Sequence, residues 1–178
     1  MSFSPAELYG KLKSDEIFVE WKKHHPSAFL SHFFCSIDPN FILLSPWDLG
    51  MYDPDSGKIT IFTHLQEGFE IKPADDVFKK EKAKVEELKL GQVKTTLDQA
   101  DKLFQEHKAE FFPKEIFGNG FIILQYFEGK LMWNITLITK NLKFANVKIN
   151  AAKEEVLDHT LINFVEKQFN PKDVGKKK

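Results

Sequence analysis

The chain has 178 residues and 20.6 kDa, with 42% hydrophobic, 29% charged and 13% aromatic residues, so it can bury a core and is too apolar for a disordered chain. Nine Gly, eight Pro and a single cysteine, Cys35, exclude collagen-like and low-complexity classes, a disulfide framework and a multi-cysteine zinc site. The formal charge is -1, yet all 25 basic residues are Lys and none is Arg. Without the bidentate guanidinium fork that reads phosphate and guanine, no nucleic-acid partner is expected.

In chain order, Ser4-Pro5 places a cap residue ahead of Pro at the first helical position, and Leu8 and Leu12 fall one turn apart, which predicts a short helix. Residues 15–25 predict a second, with Ile17, Phe18 and Trp21 on one face and His25-Pro26 ending it. From Ala28 the period shortens. Phe29, Phe33, Cys35 and Ile37 oppose Leu30 and Phe34, a strand covered on both faces that ends at Asp38-Pro39-Asn40. Extended chain is predicted at 41–44 and 49–52, a turn at Asp53-Pro54-Asp55-Ser56-Gly57, and a hairpin partner at 58–65. A short strand at 69–72 leads into a charged run, Asp75 to Lys89, read as a solvated, partly helical crossover.

Thr96-Leu97-Asp98-Gln99 is a capping box opening a helix that carries Leu97, Ala100, Phe104 and Phe111 on its buried stripe and stops before Pro113. After Gly118-Asn119-Gly120 come three strand signals, 121–127, 131–139 and 142–150, separated by turns short enough for an antiparallel meander. Leu161, Val165 and Gln168, with Ile162 and Phe169 close by, predict a final helix over 160–168.

The two halves thus repeat an order of helix, antiparallel strands and a polar turn. Residues 47–59 align without gaps on 144–156, with an aromatic, a mostly apolar run, Asp53 or Asn150, a turn and an aliphatic recurring in step. These stretches, Tyr52-Asp-Pro-Asp-Ser-Gly-Lys-Ile59 and Ile149-Asn-Ala-Ala-Lys-Glu-Glu-Val-Leu157, resemble two copies of the closing motif of PepSY-like domains. The first copy keeps the family's Asp and Gly; the second has Asn150 for the Asp and Glu154 for the Gly. The resemblance implies tandem cystatin-like layers, each a helix on a curved antiparallel sheet, of a kind associated with protease propeptides, inhibition and regulation.

No constellation of residues carries evident chemistry. His24 and His25 diverge on a helix, and His32, His64, His107 and His159 show no metal-ligand spacing. Cys35 reads as a small buried hydrophobe. The 53–57 turn starts like a calcium loop, but its Gly arrives early and His64 stands where the twelfth-position Glu is needed. No nucleophile elbow, phosphate loop or dinucleotide fingerprint occurs. Of the abundant aromatics, Trp47, Tyr126, Phe127 and Trp133 are the candidates for an exposed binding surface.

The resulting expectation is an α+β protein of two cystatin-like halves, each a helix on antiparallel sheet: 1–74, a charged connection 75–94, 95–170, and a basic tail 171–178. The halves would share one sheet or face each other across a cleft. Residues 1–8 show no basic segment followed by an apolar run, and no stretch reaches the roughly 18 apolar residues of a membrane span. The expected role is therefore cytoplasmic and non-enzymatic, binding a protein or peptide, with no cofactor, no metal and no membrane. The alternatives are an enzyme or small-ligand carrier with an assembled apolar pocket, signalled by a pocket where at least two of His32, His64, Asp48 and Glu70 converge, and a homodimer formed through an exposed strand edge or the Phe-rich sheet face.

Overall fold

The computed structural model describes residues 3–76 and 84–163. Two helices open the chain, α1 (Pro5–Ser14) and α2 (Glu16–His24), followed by four strands, β1 (Phe29–Ile37), β2 (Asp48–Asp53), β3 (Lys58–His64) and β4 (Phe69–Asp76). A single 3-10 turn at Leu90–Gln92 precedes α3 (Leu97–Phe111), and four more strands complete the fold: β5 (Phe117–Phe127), β6 (Lys130–Thr139), β7 (Lys143–Asn150) and β8 (Glu155–Asn163). All eight strands form one antiparallel sheet in the order β4-β3-β2-β1-β5-β6-β7-β8. Each half is a meander, and the halves join where β1 pairs with β5, Phe34 opposite Ile123 and Cys35 opposite Ile122. The protein is an α+β fold with a continuous sheet, not two sheets facing across a cleft.

Local chemistry sets the helix boundaries. The Ser4 hydroxyl caps α1 by accepting from the Glu7 amide at 3.4 Å, and Asp15 ends α1 while its carboxylate accepts from the Ile17 amide at 2.9 Å to start α2. The capping box of α3 is complete: the Gln99 amide donates to Thr96 Oγ1 at 3.2 Å and the Thr96 amide to Gln99 Oε1 at 2.8 Å. Glu128 (φ 51°) and Gly129 (φ 73°) both take left-handed backbone, the turn that suits the twist of the β5–β6 hairpin.

Alternation along the strands assigns the two faces. Phe33, Leu49, Phe62, Leu124, Ile135 and Val147 all point to one side, where they join Leu12, Phe18, Ala100 and Phe104 of the helices in a single core. Phe62 on β3 receives the edges of Phe18 and Trp21 at ring-centre distances of 5.3 and 5.2 Å, fastening α2 to the sheet. Full burial of such a ring contributes about 2–3 kcal/mol. On the other half Phe104 of α3 meets Phe117, and Phe111 stacks on His159 of β8 at 3.9 Å.

Two expectations are corrected. Residues 41–44 form no strand: Asp38 Oδ1 accepts from the amides of Asn40 and Ile42, both at 2.8 Å, and folds the chain into a loop that touches the sheet only at an Ile37–Leu43 bridge. Residues 160–163, expected to start a helix, are the end of β8, paired from Thr160 opposite Asn146 to Asn163 opposite Lys143. The remainder of that expected helix, 164–168, and the basic tail lie outside the described residues. Of the charged connection, 84–89 carries no helix, and 77–83 lies outside the described residues.

Candidate functional site

Because the helices share one side of the sheet, the interleaved residues of every strand form a second face that no helix covers among the described residues. Register arranges this face in rows. One row runs Lys72, Ile61, Gly50, His32, Gln125, Met132 and Asn150; the next runs Glu70, Thr63, Asp48, Phe34, Ile123, Asn134, Lys148 and Asp158. Further along lie Ser36, Phe121, Thr136, Asn146 and Thr160, and then Ile138, Phe144 and Ile162.

The β1–β4 half of the face is polar and internally bonded. The His32 ring lies directly over Gly50, so close that a Cβ there would stand 2.1 Å from Cε1. A glycine is required for that approach. Ser31 Oγ donates to the Gly50 carbonyl at 3.0 Å and lies 2.9 Å from His32 Nδ1, so the imidazole donates from Nδ1 and leaves Nε2 as the acceptor. Burial pushes the His32 pKa down to about 4, against a smaller opposing pull from Asp48, and the ring is neutral near pH 7. Asp48 itself accepts from the Thr63 hydroxyl at 2.5 Å and from Lys72 Nζ at 3.2 and 3.3 Å.

The β5–β8 half sets aromatic and aliphatic side chains, Phe121, Ile123, Phe144 and Ile162, among polar ones such as Gln125, Asn134, Asn146 and Lys148. Phe34 stacks against Phe121 at 5.7 Å, and beyond them a groove of about 500 Å³ is lined by Phe121, Phe144, Ile162, Thr136, Thr160, Asn146 and Lys148. Its polar floor is rigid: Asn146 Nδ2 donates to Asn134 Oδ1 at 2.6 Å, Thr136 Oγ1 at 2.9 Å and the Ile135 carbonyl at 3.1 Å. Lys148 at the margin reaches Asp158 at 3.4 Å. An aromatic trough with fixed amide dipoles and little net charge suits an amphipathic chain segment better than a small ion.

The aromatic surface expected from the sequence is corrected by this geometry. Trp133 is fully buried and Trp47 nearly so, both on the helix-covered side, and the Trp133 indole donates to the Thr95 carbonyl at 2.9 Å. Tyr126 is half-buried on the same side with its hydroxyl on Gln92 Oε1, and Phe127 is exposed at the β5–β6 hairpin. The four do not make one surface. The apolar residues that line the trough, Phe121, Phe144 and Ile162, escaped the search: they come from three strands, β5, β7 and β8, and only the pairing of those strands brings them together. Of the expected polar convergence, His32, Asp48 and Glu70 do share the open face, whereas His64 lies on the other side against Phe69.

Elsewhere the reactive groups serve the fold. Cys35 is buried with Sγ 3.1 Å from the Ser45 carbonyl, and burial pushes its thiol up. Asp53 accepts from the Asp55 amide at 3.0 Å and pairs with His25 Nδ1 at 2.9 Å, so its carboxylate is consumed by the turn and by α2, not by a cation. No group of three or more metal-ligating side chains occurs among the described residues. No helix among them is long and apolar enough to cross a membrane.

No protein-family model matches the chain, and no curated protein matches it. Among solved structures, the chain is similar to a candidate lipoprotein of Clostridium difficile 630, with a TM-score of 0.48 and 15% sequence identity over 82% of this chain and 90% of that one.

Proposed function

We propose that the protein is a non-enzymatic binding module that receives an extended segment of a protein or peptide on the open face of its sheet. The observation that carries this reading is the trough on β5–β8: Phe121 and Ile162 stand over a bonded amide floor, beside the Phe34–Phe121 stack, on a face that no helix covers among the described residues. Half-buried aromatic side chains on a rigid sheet offer contact area at small entropic cost. In the same reading the two halves are cystatin-like units of PepSY type fused edge to edge, supported by the helix-then-four-strands order in each half, and the protein acts inside the cell.

The test is to pan a peptide library against the full chain and measure selected ligands with the wild type, Phe121→Asp and Phe144→Ser. Binding in the micromolar range that falls at least tenfold in both variants, with melting temperatures held, supports the reading. Ligands indifferent to both substitutions would sink it. Sedimentation addresses the homodimer reading, for which the position of β8 as the last strand of the sheet among the described residues is the observation in favour: a dimer lost on Leu161→Lys would move the interface from the trough to that edge.

A further inference from the structure

A second, smaller cavity lies on the opposite side of the sheet, away from the trough. Its volume is about 270 Å³, and its wall is Phe3, Ala6, Leu90, Val93 and Trp133, with the exposed Lys94 and Thr96 at the mouth. Cavities of about 150 Å³ with apolar walls take a single benzene ring, and drug-sized pockets begin near 300 Å³, so this one matches a one- or two-ring molecule. Its aromatic walls are held in place. The Phe3 ring lies parallel to Trp47 at 4.0 Å and 9°, and meets the edge-on faces of Phe33 at 5.9 Å and Trp133 at 6.4 Å.

The mouth is equally fixed. The amides of Lys94 and Thr95 both donate to the Ala151 carbonyl, at 2.7 and 2.9 Å, and the Thr95 hydroxyl donates to the Asn150 carbonyl at 2.9 Å. These bonds tie the 94–96 segment to the β7–β8 turn. Lys94 is the one charged residue lining the cavity, is itself exposed, and makes no ion pair among the described residues. An apolar slot with aromatic walls and an uncompensated ammonium at its mouth is complementary to a flat ring bearing a carboxylate.

We infer that this cavity is a binding site for a small planar aromatic carboxylate, its rings against Phe3 and Val93 and its carboxylate toward Lys94. The site is independent of the sheet-face reading, because it uses the helix-covered side and none of the trough residues.

The experiment titrates the full chain with 2-naphthoate and with neutral 2-naphthalenemethanol, followed by calorimetry and by tryptophan emission. Saturable binding of naphthoate with a Kd on the order of 0.1–1 mM is expected for a ligand of this size. Lys94→Ala should weaken naphthoate about three- to fivefold and leave the alcohol unchanged, the effect of one exposed charge. Val93→Trp, and independently Ala6→Leu, should abolish binding of both by filling the slot, while Phe121→Asp on the far face should change neither. No saturation at several millimolar, or binding that survives both filling variants with the melting temperature intact, overturns the site. Equal binding of acid and alcohol overturns the carboxylate.

Discussion

The contact between His32 and Gly50 can be perturbed from both sides, which turns a geometric observation into a measured coupling. In Gly50→Ala the new Cβ would stand 2.1 Å from His32 Cε1, 2.4 Å from Nδ1 and 2.8 Å from Nε2. The Gly50 backbone is not in the left-handed region, so an alanine there meets only the steric conflict and no conformational one. Relief requires the imidazole to move by more than 1 Å, a rough value set by ordinary carbon contact distances near 3.5 Å. That shift breaks the bond to Ser31 Oγ, which in turn holds the Gly50 carbonyl. A lost hydrogen bond of about 1 kcal/mol plus overpacking of about 1–3 kcal/mol puts the cost near 3 kcal/mol. For a chain of this length that is a fall in Tm of about 6–12 °C. In a His32→Ala background the ring is gone, and Gly50→Ala should be neutral or should stabilise by about 0.5–1 kcal/mol through the unfolded state. Urea denaturation of the wild type, both single variants and the double variant completes the cycle. A coupling below about 0.5 kcal/mol would refute the close approach, because the alanine would then cost the same whether or not the ring is present.

The same histidine governs the acid limb of stability. Its pKa near 4 in the folded chain lies below the unfolded value of about 6.5, so the unfolded state takes up the proton first; stability is full above pH 6.5 and is lost as pH falls from there to 4, by at most about 3 kcal/mol. Denaturation midpoints between pH 7 and 4 should fall accordingly, and His32→Gln should flatten that slope. Asp53 and Glu115 have pKa values lowered chiefly by their bonds to His25 and Lys143, so what they contribute is lost only at lower pH, as they protonate, and that segment of the profile should persist in His32→Gln. Asp53→Ala removes both the turn amide and the His25 partner and should cost about 2 kcal/mol in urea melts, against about 1 kcal/mol for His25→Ala, which spares the turn. Thr96→Ala opens the capping box of α3 and should cost about 1 kcal/mol, with Thr96→Ser recovering most of it.

Where sequence reading succeeded, the determinants were local. The caps of α1 and α3, the stop at His25-Pro26 and the β5–β6 and β2–β3 turns depend on residues within four positions of one another. It failed where tertiary pairing decides. Leu161 and Val165 fall four apart, a helical spacing, but 160–163 are the end of β8, an edge strand whose exposed side carries no alternation, and only the hydrogen bonds to β7 reveal it. Residues 41–44 are as apolar as a strand, yet the Asp38 carboxylate captures two of their neighbouring amides, and Phe41 takes φ 59°. The tryptophans illustrate a third limit. Period-two alternation says that Trp133 and Asn134 point to opposite faces, but which face the helices will cover depends on contacts between distant segments.

The likeness between the Asp53 and Asn150 turns has a chemical basis that is separable from strand order. Asp53 Oδ1 accepts from the amide two residues on at 3.0 Å; Asn150 Oδ1 accepts from the amides two and three residues on, at 2.9 and 3.1 Å. Both side chains close a turn in the same way. Yet Asp53 ends the second strand of its meander and Asn150 ends the third of its own, so the gapless alignment superimposes the β2–β3 hairpin on β7–β8, whereas counting strands from β1 and β5 pairs it with β6–β7. The gapless match therefore follows from turn chemistry that any Asx-capped hairpin shares. An edge-to-edge repeat rests instead on the symmetric sheet order about the β1–β5 junction, where Phe34 and Phe121 stack across the two central strands. That junction also sets the neutral His32 ring and the Phe34–Phe121 stack on the same open face, on either side of the register that joins β1 to β5.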